Sequence, residues 1–163
     1  MKKIIIAIIS IICFQQAEAQ TDTIPIYKKY PEIPVFDIMI APDSTKFTKD
    51  DLKKKKPTII MLFSPDCEHC KHATRDLLEH IDLFKKAQIV MVASLNFDHI
   101  KKFYDEFKLA DYPNIIVGRD SRFYLGTLYK IHNYPSLFVY NKKGKFVKSF
   151  DSSVKMEELA DAL

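Results

Sequence analysis

The sequence predicts an α/β fold of three layers, with a central mixed sheet and helices on both of its faces. Three observations predict it. The stretches from Thr58 to Phe63 and from Ile89 to Ala93 are unbroken apolar runs of strand length, the pattern of strands covered on both faces. The segments that follow them switch to a period of three to four residues, so helices alternate with these strands. Leu137–Tyr140 and Lys145–Val147, joined by Asn141-Lys142-Lys143-Gly144, read as strand, turn and returning strand. A strand–helix–strand unit needs a parallel right-handed crossover, and the hairpin adds antiparallel strands, so the sheet is mixed.

The elements follow in chain order. Lys2 and Lys3 precede an apolar stretch from Ile4 to Phe14, and Ala17-Glu18-Ala19 precedes Gln20. A positive start, an apolar core and a small-x-small site make a secretory signal peptide, here residues 1–19. The stretch is shorter than the about 20 apolar residues that a span requires. An uncleaved anchor is the alternative. Cys13 goes with the discarded peptide, because Ile12 rather than a small residue precedes it. Residues 20–33, punctuated by Pro25 and Pro31, are expected to be an N-terminal tail, and residues 34–163 the domain.

Val35–Ile40 reads as a short strand, Pro42-Asp43-Ser44 as a turn, and Thr48–Leu52 as a polar segment with a helix-like start. The run Lys53-Lys54-Lys55-Lys56 reads as a solvated loop, with a membrane-surface or partner patch as the alternative. Cys70, Ala73, Leu77, Ile81 and Phe84 share one face of a helix. Ile100, Phe103, Tyr104 and Phe107 mark a second helix, and His80 and His99 are expected on helix surfaces. After a turn at Tyr112-Pro113-Asn114, Ile115–Val117 is short and extended. Ser121–Lys130 is a short helix, and Phe123 and Tyr124 are expected to join the core aromatics. Ser153 is placed to cap a last helix whose apolar face holds Met156, Leu159, Ala160 and Leu163.

Composition narrows the function. A formal charge of +4 on 163 residues is mild and gives no case for nucleic acid. Once the signal peptide is gone, only Cys67 and Cys70 remain of the three cysteines. Export places them where disulfides persist. A bridge over so short a loop is a poor staple, so the pair points to redox chemistry. Cys67 falls where a buried strand gives way to a helix, near unpaired N–H groups and the positive end of the helix dipole. Both favour the thiolate, the form that attacks disulfides. Cys70, one turn further on, begins the apolar helix face and is expected to be the more buried. His69 between them favours the Cys67 thiolate when protonated, whereas Glu68 and Asp66 oppose it. Glu68 is also a candidate proton carrier for Cys70, beside its plainer role as a solvent-facing carboxylate.

Phe63-Ser64-Pro65-Asp66-Cys67-Glu68-His69-Cys70-Lys71 resembles the active-site strand, turn and helix of the thioredoxin superfamily. Ile131-His132-Asn133-Tyr134-Pro135-Ser136, with the hairpin after it, is similar to that superfamily's cis-proline loop. The resemblance implies a thioredoxin-like fold, and it makes Pro135 the cis-proline beside the cysteines, with Tyr134 shaping a substrate groove. Residues 33–57 and a long segment over 96–130 resemble the TlpA/ResA-like exported branch. The activity implied is exchange of disulfides with protein clients, Cys67 attacking and Cys70 resolving. Protein thiols and disulfides and a further redox partner are implied as partners, with no organic cofactor, no nucleic acid and no lasting membrane insertion. The bacterial periplasm is the implied location. The sequence departs from the family where Asp66 stands in place of the usual aromatic residue before the first cysteine. It departs again where Met61 stands at the position of a buried acid. The Glu68-His69 pair mixes features of reducing and oxidising members, so the direction of electron flow stays open.

Two rival readings accompany this one. Cys67, His69, Cys70 and His72, with His132 beyond them, are ligand types for copper or zinc. Cys67, His69 and Cys70 cannot all face one way on a regular helix, and no second cysteine pair completes a site, so no metal is assigned. The other rival is a binding module that keeps the fold without turnover, against which the intact cysteine pair argues.

Overall fold

The computed structural model describes residues 24–152 and 154–163. The signal peptide and the Ser153 cap therefore lie outside the described residues. The strands are β1 Asp37–Ile40, β2 Thr45–Thr48, β3 Thr58–Leu62, β4 Gln88–Ala93, β5 Ile115–Arg119, β6 Ser136–Tyr140 and β7 Phe146–Asp151. The helices are α1 Ile26–Lys29, α2 Glu68–Glu79, α3 Phe97–Glu106, α4 Tyr124–Tyr129 and α5 Met156–Asp161. All seven strands form one sheet in the order β2-β1-β5-β4-β3-β6-β7. β4 pairs in parallel with β3 and β5, and every other pairing is antiparallel. This is the three-layer α/β fold with a mixed sheet that the apolar runs predict.

The side-chain period of two sorts the central strands onto two faces. Ile59, Met61, Ile89, Met91, Leu137 and Val139 point to one face, where α2, α3 and α5 contribute Leu77, Ile100, Phe103 and Leu159. Ile60, Leu62, Val90, Val92, Phe138 and Tyr140 point to the other, covered by Leu125 and Tyr129 of α4. Burial on both faces explains why β3 and β4 carry no polar residue beyond their ends. At those ends, buried Thr58 and Gln88 satisfy each other across the strand pair, with Gln88 Nε2 donating to Thr58 Oγ1 at 2.9 Å.

Four elements differ from the sequence expectations, each for a local reason. The helix after the cysteines stops at Glu79, and Ile81–Phe84 continues as a tighter 3-10 turn. The Asp76 carbonyl accepts from the His80 N–H at 3.1 Å and lies 2.9 Å from His80 Nδ1, which closes the helix there while Phe84 stays fully buried. Thr45–Thr48 is an edge strand paired with β1, which polar composition concealed. Ile115 begins a five-residue strand inside the sheet rather than a short extended piece. Phe123 and Tyr124 are 40% and 44% exposed and are not core. Phe123 has a left-handed φ of 52° at the start of α4, which turns its ring out over Gly126.

Packing also reaches ahead of residue 34. The Tyr27 ring meets Phe138, Phe146 and Tyr129 at 5.2–5.4 Å between centroids. The Ile33 N–H donates to the Gly144 carbonyl, and Ile33 is buried. Residues 26–33, read from sequence as a tail, are thus fastened along the β6–β7 hairpin.

Candidate active site

Cys67 occupies the N-cap of α2, one residue ahead of the helix, with extended backbone at φ −90° and ψ 119°. Its carbonyl accepts the first intrahelical bond from the Lys71 N–H at 3.1 Å. Its own N–H donates to the Ser64 carbonyl at 3.1 Å, so the turn Ser64-Pro65-Asp66 is closed on itself. Buried Pro65 fixes φ in that turn, which holds the first sulfur at the helix mouth. Cys67 is half-buried.

Cys70 has no solvent exposure. It faces the core formed by Met61, Phe63 and Leu77. The Ser64 N–H donates to its sulfur at 3.5 Å, and buried Thr74 Oγ1 donates to its carbonyl at 2.8 Å. Burial pushes the Cys70 thiol up from 9.0 to about 12, with the Ser64 bond working against that rise and the neighbouring Cys67 adding to it. Both cysteines are free thiols in this structure.

A groove of about 580 Å³ runs along this end of α2. His69, His72 and Asp76 of α2 form one wall, and Asn133, Tyr134 and Pro135 form the other. The Tyr134–Pro135 peptide bond is cis. The Pro135 carbonyl accepts from the Ser152 N–H at 2.8 Å, and Ser136 Oγ donates to the Asn133 carbonyl at 2.8 Å, so the loop is held from both sides. Tyr134 packs against both core layers, and partial burial raises its hydroxyl above the usual phenol range against a hydrogen bond with Ser94.

Glu68 is paired with Lys71 at 2.8 Å, and its side chain is 69% exposed. The Lys71 hydrogen bond and charge hold its carboxyl below the usual range, so the ionised form is favoured. Glu68 therefore faces solvent, bonded to Lys71. His69 is exposed on the groove wall. Met61 is buried in the core, so no acid stands at that position. His132 is exposed and lies outside the groove lining. Among the described residues, no group of three or more His, Cys, Asp or Glu side chains is placed to hold a metal ion.

Sequence reading missed two contributors. Ser64 supplies a polar contact to the Cys70 sulfur through its backbone, which no side-chain pattern reveals. His99, on α3, sets Nδ1 3.2 and 3.3 Å from the two Asp66 oxygens and so ties the turn before Cys67 to a second helix. These two residues are 33 positions apart, and only the packing of α3 beside α2 brings them together.

A family model described as thioredoxin-like matches residues 55–146, which include both cysteines and the cis-proline loop. The chain belongs to the thioredoxin-like family. Solved structures agree with this thioredoxin-like fold. A secreted disulfide oxidoreductase of Mycobacterium tuberculosis is 16% identical, with 78% of this chain and 92% of that one covered at a TM-score of 0.65. StoA of Bacillus subtilis is 21% identical, with 81% and 98% covered at 0.58. The exposed lipoprotein thioredoxin of Streptococcus pneumoniae is 21% identical, with 80% and 100% covered at 0.62. At such identities the likeness establishes the thioredoxin-like fold alone. No curated protein matches the sequence significantly. Among the described residues, no helix is long and apolar enough to cross a membrane.

Proposed function

We propose that this thioredoxin-like protein is an exported thiol–disulfide oxidoreductase of the TlpA/ResA-like branch, acting on protein clients in the bacterial periplasm. The observation that carries the reading is the placing of the two sulfurs. Cys67 stands half-buried at a helix N-cap, two residues ahead of His69 on the groove wall, and Cys70 lies sealed one turn behind it. The positive end of the helix dipole stabilises negative charge at the first position, and burial opposes it at the second. That asymmetry supports attack by Cys67 and resolution by Cys70.

In the reducing direction, the Cys67 thiolate attacks one sulfur of a client disulfide. A Cys67–client disulfide forms, and the client's other sulfur leaves as a thiolate. Cys70 loses its proton and attacks the Cys67 sulfur. The Cys67–Cys70 disulfide forms, the second client thiolate leaves, and two electrons have passed to the client. The same steps in reverse oxidise a client dithiol. Tyr134 and Pro135 would guide the client along the groove, and His69 and Glu68 would set the electrostatics around the attacking sulfur. The electrons reside on sulfur, so the exchange itself calls for no organic cofactor. Residues 1–19 would be removed on export, leaving the domain to follow a short lead-in.

Replacing each cysteine in turn tests the assignment. Cys67→Ser should abolish exchange with a disulfide-bonded peptide, and Cys70→Ser should accumulate a mixed disulfide visible by mass spectrometry. Turnover retained by Cys67→Ser would overturn the roles. The reduction potential measured against glutathione sets the direction, with about −270 mV marking a reductant and about −120 mV an oxidant.

A further inference from the structure

The end of the sheet opposite the cysteines carries a dense positive charge that the redox reading does not use. The Lys53–Lys56 loop runs into the N-terminal end of β3, whereas Cys67 follows its C-terminal end. Five residues of β3 alone separate the two by about 16 Å. At this lower end, a hollow of about 320 Å³ is lined by seven lysines drawn from three separate segments. Lys49 comes from the 3-10 turn after β2, Lys53 to Lys56 from the loop before β3, and Lys142 and Lys143 from the β6–β7 turn. Among the described residues, none of the seven belongs to an ion pair. Asp50 is the single carboxylate in the lining.

The lysine loop is held in place. Buried Gln88 accepts from the Lys53 N–H at 2.9 Å and donates to the Lys53 carbonyl at 3.1 Å. The fold therefore gathers like charges against their own repulsion and fixes the backbone that presents them, a device that favours a large anionic partner. The chemistry of the patch selects the partner. All seven cations are lysines, flexible point charges without the fixed fork by which arginine reads a single carboxylate or phosphate. An exposed apolar side chain stands beside them: Val35, 75% exposed, lines the adjoining hollow, which shares Lys49 and Asp50 with the first. Diffuse positive charge flanked by an exposed apolar residue matches the headgroup region of an anionic bilayer. The geometry points to this lysine pole as a docking surface for an anionic phospholipid membrane, with the cysteine groove facing away from the bilayer.

Co-sedimentation of the processed chain, residues 20–163, with vesicles tests it, using pure phosphatidylcholine against an equal mixture with phosphatidylglycerol. Binding is expected to the mixed vesicles only and to fall as salt screens the lysines. The variant Lys54→Gln/Lys55→Gln/Lys142→Gln/Lys143→Gln should weaken it by about tenfold or more. The same four positions changed to Arg should keep it, and Lys101→Gln/Lys102→Gln on α3 should leave it unchanged. Disulfide exchange in solution should be the same in all of these proteins, which separates this proposal from the redox reading. Equal binding to pure phosphatidylcholine, an undiminished quadruple variant, or preference for soluble polyglutamate over vesicles would each overturn it.

Discussion

Replacing Cys70 by Ala should remove a specific alkaline dependence of stability. In the unfolded chain this thiol titrates at its ordinary 9.0, and in the fold at about 12. The folded value lies above the unfolded one, so the contribution is present in full below about pH 9. It is lost as pH rises towards about 12, because only the unfolded chain gives up the proton in that window. Each unit of the gap corresponds to about 1.4 kcal/mol, so the loss over the whole window is on the order of 4 kcal/mol. Cys70 has no solvent exposure, so water does not screen the effect. The assay is urea unfolding of reduced wild type and Cys70→Ala from about pH 8 to about pH 11. The cavity left by Ala shifts the variant's curve by a constant, and the buried tyrosines are common to both proteins. The difference between the curves should therefore fall by about 1.4 kcal/mol per pH unit above pH 9. In a Cys67→Ser background the slope should be the same but end at a lower pH, since burial outweighs the Cys67 contribution. Parallel curves through this range would refute the argument that burial holds the proton on Cys70, and with it the asymmetry on which the proposed roles of the two sulfurs rest.

Tyr129→Phe should cost about 1–3 kcal/mol in chemical denaturation, because it strands the Tyr140 hydroxyl, now 2.6 Å from Tyr129 Oη in a buried layer. Tyr129→Phe/Tyr140→Phe should recover part of that loss, and a double variant as unstable as the sum of the singles would refute it. Gln88→Leu should also cost about 1–3 kcal/mol, since it leaves Thr58 Oγ1 and both backbone groups of Lys53 without their partner. Hydrogen exchange of the Lys53 amide should rise in the same variant, and unchanged protection there would show that the loop is held by something else.

Much of the layer order was legible because central strands and amphipathic helices carry different periods. Ile59–Phe63 and Ile89–Ala93 had to be covered on both sides, and Ile100 and Phe103 had to face a core. The cysteine spacing was equally open to reading, since one helical turn separates Cys67 from Cys70 whatever packs around them. Edge elements were less legible. Thr45–Thr48 has little apolar signal, because an edge strand is paired on one side only. Phe123 and Tyr124 have core composition, yet the left-handed backbone at Phe123 turns them outward.

By itself the amino-acid sequence determined the alternation of strands and helices, the strand-to-helix step at Cys67, and the burial of Cys70 on an apolar helix face. Those features depend on local periodicity and on neighbours within a turn. Only the tertiary structure decided that His99 would reach Asp66, and that Asn133 to Pro135 would wall the groove beside His69. It also decided that lysines from three segments would meet around one hollow, held there by Gln88. Such contacts join residues tens of positions apart, and their partners are selected by sheet order and helix packing, which no local pattern encodes.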